Sequence, residues 1–253
     1  MDKNYYKEYY LLERKHWWFR VREQIILQTF KKFEKQHNSL KILNVGCATG
    51  RSSEYLAHFG EVTSVEYDKD CCQFLTEELH LPVVNASATD LPFEQGSFDW
   101  VCAFDVIEHI EDHQKAVQEL CRLAKPGGHV FVTVPAFMDL WSKHDVINHH
   151  FRRYRLPELK ALFSGDQPGQ IIYKTYFNSI LFLPIWLFRK ISNIIYSDKN
   201  EKTLHSDFDD PEKNKIRGAI FYTIFYFEKI LLNFITFPFG VSAMLIWKKN
   251  KTV

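Results

Sequence analysis

Apolar side chains recur at helical intervals through the first part of the chain and then give way to short apolar blocks. Over residues 5–36, Tyr10, Trp17, Trp18, Val21, Ile25, Ile26 and Phe30 stand among alternating charges, which predicts one amphipathic helix. The next 95 residues alternate apolar runs with amphipathic ones. Strands are expected at residues 41–45 and 62–66, near Val83, and at 100–104 and 129–134. Helices start at Ser52 and Lys69 and run over 114–124, and the Pro126-Gly127-Gly128 triplet reads as a turn before the fifth strand. Strands joined by helical crossovers predict a parallel sheet covered on both faces.

Beyond this region the pattern changes. A short helix over 156–163 leads to a strand at 171–176, and residues 177–237 are rich in Phe, Leu and Ile, broken by a polar loop from Ser197 to Lys215. Two helices are expected there: one kinked by Pro184, and a second from about Pro211 to Phe237 that is apolar nearly all round. The uncharged run Ile230 to Trp247 has 18 residues, the lower limit for crossing a bilayer. Pro238 and Gly240 interrupt it, so it divides into a helix end and a final strand, 241–247, able to pair with the strand at 171–176.

Composition narrows the class of protein. The 253 residues suffice for one large domain or two small ones without disulfide or metal staples. Hydrophobic content of 46% and charged content of 25% exclude a disordered or fibrous chain. Lys and Arg number 32 against 31 acids, so no global field favours nucleic acid. Five cysteines, two of them adjacent at Cys71 and Cys72, form no disulfide framework and suit a reducing compartment. The opening residues interleave charge throughout and do not resemble a signal peptide, so a cytoplasmic location is expected, with contact at the inner membrane surface left open. The 22 Phe residues add a further feature, since they crowd into the last third.

Candidate chemistry begins where the first strand runs into Asn44-Val45-Gly46-Cys47-Ala48-Thr49-Gly50 and then a helix. Such a turn brings backbone N–H groups to a ligand at the carboxyl edge of a parallel sheet. The dinucleotide fingerprint is a poor match, because its second and third glycine positions hold Ala48 and Arg51. Glu66 ends the second strand 20 residues after Gly46, where an acid can take both ribose hydroxyls of an adenosyl ligand.

With these segments in register over residues 40–135, the sequence resembles the class I S-adenosylmethionine-dependent methyltransferases. ILNVGCATG is similar to the family's first motif, SATDLPF and GSFDWVCAFDVIEHIED to its next two segments, and LAKPGGHVFVTVP to the closing one. The resemblance implies an α/β, Rossmann-like seven-stranded sheet with helices on both faces, an N-terminal helical lid, and an apolar helical insertion before the last strand. Its divisions would be a helical cap at 1–38, the cofactor-binding core at 39–176, the insertion at 177–240, and the last strand with a basic tail at 241–253. The implied cofactor is S-adenosylmethionine, contacted by Asn44, Gly46, Cys47, Gly50, Glu66, Tyr67, Ala88, Thr89 and Phe104. Asn44 stands where the family usually has Asp, Ala48 where it has Gly, and Ser87 where an Asp commonly receives the adenine amine. HWWFRVR (16–22) and LWSKHDVINHHFRRYRLPEL (140–159) resemble a bacterial branch whose substrates are mostly unassigned.

Methyl transfer from a sulfonium is an in-line displacement that needs alignment and, for a hydroxyl acceptor, a base. His109, just past the fourth strand, is the first candidate base, with His149 the second. Trp18, His150, Arg152, Arg153 and Tyr154 are the expected substrate contacts, the arginines gripping an anionic group by their planar forks. Asp105, Glu108 and His109 with a later His are also similar to the divalent-metal constellation of ubiquinone-type and small-RNA O-methyltransferases; a metal is admissible but not favoured, and none is assigned. The expected function is methylation of a hydroxyl on an amphipathic or lipid- or glycan-like small molecule. The rival reading is a non-catalytic cofactor-binding module that uses its Phe-rich insertion to hold a partner or membrane. The expected partner is a small-molecule acceptor, with no nucleic acid, and residues 177–237 are free to meet a membrane or a second copy.

Overall fold

The structure, a computed structural model, describes residues 3–34, 39–165, 168–195 and 215–251. Two N-terminal helices, α1 (Lys3–Lys15) and α2 (Trp17–Phe33), replace the single helix expected from periodicity. The break is at His16, whose extended backbone makes it the N-cap of α2, with Nδ1 accepting from the Trp18 amide at 3.3 Å. Residues 35 and 36 of the expected helix lie outside the described residues.

The core then alternates β1 (Leu40–Val45), α3 (Arg51–Leu56), β2 (Gly60–Glu66), α4 (Lys69–Glu77), β3 (Val84–Asn85), β4 (Phe98–Phe104), α5 (His113–Leu123) and β5 (Ala124–Pro135). After the short helices α6 (Lys143–Ile147) and α7 (Leu156–Leu162) come β6 (Gly169–Phe177), α8 (Phe182–Ile195), α9 (Lys215–Leu231) and β7 (Ser242–Lys249). The seven strands form one sheet in the order β3-β2-β1-β4-β5-β7-β6. All pairings are parallel except those of β7, which runs antiparallel to both β5 and β6, as the sequence led us to expect for the last strand.

Three expectations change in detail. The Pro126-Gly127-Gly128 triplet is not a turn outside the strand. It lies within β5, where pairing passes from Phe98 with Ala124 to Trp100 with His129, so the extra residues are accommodated as a bulge with Gly127 at φ 79°. Pro184 does not kink α8: it sits in the first turn, where a missing N–H costs no intrahelical bond. The last helix ends at Leu231 rather than Phe237, and the expected loop from Ser197 and the helix start at Pro211 lie outside the described residues.

Two buried layers hold the sheet. On one face, Val21, Ile25, Ile26 and Phe30 of α2 pack on Ile42, Trp100, Phe131 and Ile246, with Phe225 of α9 in the same cluster. On the other face, Val117 and Leu120 of α5 and Leu159 of α7 pack on Val101, Val130 and Leu245. Each deeply buried Phe or Ile contributes roughly 1.5–3 kcal/mol. α9 lies along α2, joined by Trp17 against Phe221 at 5.3 Å and by Gln28 Nε2 donating to the Lys229 carbonyl at 2.8 Å. No helix among the described residues is long and apolar enough to cross a membrane.

Candidate active site

The carboxyl ends of β1, β2 and β4 meet at one edge, and the β1 loop is shaped there by two glycines and one strained alanine. Gly46 has φ 69°, Ala48 45° and Gly50 85°, all in the left-handed region. A Cβ on Gly46 would stand 2.5 Å from Val106 Cγ2, so the loop backbone passes where a side chain has no room. The Gly46 and Cys47 amides both donate to the Val65 carbonyl, at 2.8 and 3.0 Å, which ties the loop to β2. Asn44, fully buried in β1, donates to the Ser52 and Ser53 hydroxyls and so braces the start of α3.

Glu66 sits at the centre of this edge. Its Oε2 accepts from the Ala48 amide at 2.9 Å, and its Oε1 from the Tyr67 and Asp68 amides at 2.8 and 3.1 Å. The carboxylate is therefore fixed in place by three backbone donors, and one acceptor position remains, on Oε2. Beside it a cavity of about 540 Å³ is lined by Tyr67, Asp68, Lys69, Asn85 and Ser87, among other residues. Tyr67 is 75% exposed at its mouth. Thr89 and Ser87 share a hydroxyl contact of 2.8 Å, Ala88 is buried next to them, and Phe104 is buried against Phe131. The residues lining that cavity lie after β2 and at β3, and the left-handed turn at Gly46 and Gly50 with the backbone-held Glu66 carboxylate suits an adenosyl group beside it.

α1 closes over the β1 loop. Glu13 accepts from the Thr49 hydroxyl, Arg14 pairs with Glu54, and Tyr6 stacks on Phe74 at 6.0 Å. Burial raises the Glu13 carboxyl to about 7, opposed by the Thr49 hydrogen bond and the Arg14 charge. α2 supplies Arg22, buried, whose Nη2 lies 2.6 Å from Asp105 Oδ2 and 3.1 Å from Thr133 Oγ1. Asp105 itself is held at φ 57° immediately after β4. Trp18, which packs edge-on against Phe19 at 4.9 Å and lies under the Arg22 guanidinium, is on the same helix.

The rim after β4 and β5 brings the histidines together unequally. A 3-10 turn over Ile107–His109 presents His109, whose ring lies 4.5 Å from that of His150. Its imidazole is pulled below the usual range, by its packed surroundings first and by His150 next, although the residue's outer edge is exposed. His150 Nδ1 stands 2.8 Å from Asp145 Oδ1; an ionised carboxylate only accepts, so Nε2 is the remaining polar atom of that ring. Asp145 is fully buried. Burial works against its charge, but His150 and the Arg153 guanidinium hold its carboxyl well below the usual carboxylate range. His149, exposed and at φ 55°, stands apart from this network.

Two expected substrate contacts are corrected. Arg153 is 4% exposed and directs its fork at Asp145, at 2.8 and 3.0 Å, with a further bond to the Ala136 carbonyl, so the fork holds the protein rather than a ligand. Tyr154 is 2% exposed, with its hydroxyl between His113 Nδ1 and the Ile107 carbonyl. Arg152 is only half-buried, and its Nη2 donates to the Glu111 carbonyl.

Glu108, His109 and His150 each bring one donor atom within 4.8 Å of the others, an oxygen and two nitrogens that could hold a divalent ion. Glu108 is completely buried, both carboxyl oxygens lack a hydrogen-bond partner, and burial pushes its pKa well above the usual range. Asp105 does not join this group, because Arg22 and Thr133 occupy it. Sequence reading gave no role to Arg22 or Glu13, and it grouped Asp145 with the neighbouring histidines and arginines without assigning it one. The first stood inside HWWFRVR, and the last is the acid of a Ser142 capping box; only those local patterns could have flagged them.

Comparison with known proteins agrees with this geometry. Residues 43–132 match the family described as a methyltransferase domain. O-methyltransferase rstn1 of Aspergillus nomiae is 27% identical over 154 residues, which are 57% of this chain and 67% of that protein. The chloroplastic tocopherol O-methyltransferase of Arabidopsis thaliana is 36% identical over 110 residues, 39% of this chain and only 31% of that one. The chain thus spans two thirds of the first relative and under a third of the second. The crystal structure of an S-adenosylmethionine-dependent methyltransferase from Archaeoglobus fulgidus covers 95% of this chain and 99% of its own, with a TM-score of 0.55 at 16% identity, and so shares the fold. With the motif register of β1 to β5, the glycine loop and these matches together, residues 43–132 are a methyltransferase domain, similar to those of the class I S-adenosylmethionine-dependent methyltransferases.

Proposed function

We propose that this protein methylates a hydroxyl of an amphipathic, lipid- or glycan-like small molecule. The observation that carries the reading is the tight left-handed loop at Gly46 and the fixed Glu66 carboxylate, on the same sheet edge as His109, with a cavity lined by Tyr67, Asn85 and Ser87 next to them. When bound, S-adenosylmethionine supplies the methyl on its sulfonium. In this reading Glu66 orients the ribose through the acceptor position left on Oε2, and Gly46, Cys47 and Gly50 admit close backbone approach. Tyr67, Ala88 and Thr89 flank the adenine side. Phe104 stands behind the reacting end.

His109 takes the acceptor's hydroxyl proton as the new O–C bond forms and the S–C bond breaks. Imidazole has its lone pair free near pH 7, and His109 stands at the exposed rim where an acceptor would reach it. His150, held by Asp145, steadies the ring of His109, while exposed His149 and Arg152 are placed to meet the acceptor. α1 and Trp18 of α2 cover the edge and exclude water, which favours displacement at a positively charged sulfur. The tocopherol enzyme among the relatives supports a hydroxyl on a lipid-like acceptor.

Calorimetry with S-adenosylhomocysteine, followed by turnover of the wild type, His109→Ala and His149→Ala on fractionated extracts, tests the proposal. Binding with turnover that falls at least about a hundredfold in His109→Ala is expected, since positioned bases contribute roughly 10²–10⁴ in rate. Binding with no turnover on any fraction would instead favour a cofactor-binding module.

A further inference from the structure

The insertion presents a surface that the methyl-transfer site does not use. Fourteen of the nineteen large apolar side chains that are exposed among the described residues fall between Ile180 and Phe239, so the apolar surface is concentrated on α8, α9 and the segment before β7. Phe234 and Ile216 are each 81% exposed, Leu183 65% and Phe188 64%. The two helices are held together at the sheet edge: Glu228 of α9, fully buried, accepts from the Ser179 and Ile180 amides at 2.7 and 2.8 Å just before α8.

Among the described residues of α8 and α9 the outward charge has one sign. α8 and α9 carry Lys190, Lys215, Arg217 and Lys229 outward, while Arg189 is buried against the Leu140 carbonyl and their only acid, Glu228, is turned inward. Lys229 and Lys190 lie over the Tyr226 and Trp186 rings at 4.5 and 6.0 Å, and Arg20 of α2 over Tyr222 at 5.1 Å. The chain as a whole is nearly neutral at +1, so this is a local cationic field around an apolar face.

We propose that this face docks on the surface of an anionic lipid bilayer. Aromatic rings topped by cations match the boundary between acyl chains and head groups, where ring and side-chain stem enter the apolar layer and the charge meets anionic phosphate. Neither helix is a membrane span, so both lie on the bilayer rather than across it. A two-fold contact between copies would bring this cationic grouping onto both sides of one interface, whereas an anionic surface neutralises it. Because β6 ends and β7 begins at the carboxyl edge of the sheet, docking holds the cofactor edge near the lipid. Docking thereby deepens the lipid-like acceptor proposed above, and it rests on that reading for its purpose alone.

Sedimentation of the full chain with vesicles tests it. Wild-type protein is expected to pellet with phosphatidylcholine vesicles containing phosphatidylglycerol, to be released by salt, and to stay in solution with phosphatidylcholine alone. The Lys190→Gln/Lys215→Gln/Lys229→Gln variant should bind about fivefold more weakly per charge, roughly a hundredfold in all. Phe188→Ser/Phe234→Ser should lose pelleting while keeping its circular dichroism and its affinity for S-adenosylhomocysteine. Three results overturn docking: wild-type protein left in solution with anionic vesicles, equal binding to both vesicle types, or a concentration-dependent dimer that Phe188→Ser/Phe234→Ser dissolves without any vesicle binding. Affinity for S-adenosylhomocysteine is measured separately, so failed docking leaves the methyl-transfer reading standing and the converse also holds.

Discussion

Replacing Gly46 with Ala places a methyl group where the loop is tightest. The added Cβ would stand 2.5 Å from Val106 Cγ2 and 3.2 Å from Cγ1, and the residue would have to keep φ near 69°. The left-handed backbone costs an L-residue about 1–2 kcal/mol, and overpacking beside a branched side chain costs about 1–3 kcal/mol. The sum of roughly 2–5 kcal/mol has a midpoint that lowers the melting temperature of a domain this size by about 7–14 °C. Affinity for S-adenosylhomocysteine should fall at least tenfold, because relief of the clash moves the Gly46 and Cys47 amides off the Val65 carbonyl. Adding Val106→Ala removes both close methyls and should recover the steric share, leaving the conformational one. The double-mutant cycle, read by calorimetry and thermal unfolding, should therefore show a coupling of about 1–3 kcal/mol. A Gly46→Ala protein that melts and binds like the wild type, or a Val106→Ala change that rescues nothing, would refute the reasoning.

Other residues yield further tests. Glu13 titrates at about 7 in the folded protein, above its usual value of 4.5, so its contribution is greatest at low pH and is lost as pH rises through 7. Glu13→Gln should then be stabilised by on the order of 1–3 kcal/mol at pH 8 and match the wild type in mild acid, as compared by melting temperature. His16 and His129 are both pulled down to about 4, mainly by burial; the unfolded chain takes up protons first, so stability should fall as pH drops from 6.5 towards 4. A titration of unfolding free energy over that window, flattened in His129→Gln, checks the sign. Asp145→Asn leaves the Arg153 charge buried without its partner and should cost about 3–5 kcal/mol by urea unfolding. Chelation with EDTA should leave turnover unchanged; loss restored by Zn²⁺ or Mn²⁺ would instead identify Glu108, His109 and His150 as a metal centre.

The parallel half of the sheet was legible because each strand is a short apolar run closed by a polar or glycine turn, and Glu66 falls at the end of the second. The last strand was legible for a similar reason: Pro238 and Gly240 stop the apolar run before Ser242–Lys249. Local pattern could not reveal the break at His16, since apolar spacing continues through it and only the cap geometry divides the helix. Nor could it show that Arg22 reaches Thr133, 111 residues away, or that Arg153 turns inward to Asp145. A run of His and Arg reads as solvent-facing until folding shows which of its members is buried.

The helix α2 links two places that share no ligand. One end packs Trp17 against Phe221 and Phe225 of α9, and less than two turns later Arg22 grips Asp105. A helix transmits displacement as a stiff rod, so a shift of α9 that carries Trp17 with it must also load the Arg22 contact. Fewer than two turns of helix thus separate the α9 packing from the residue following β4, so a substitution at Trp17 is expected to be felt at the Arg22–Asp105 pair.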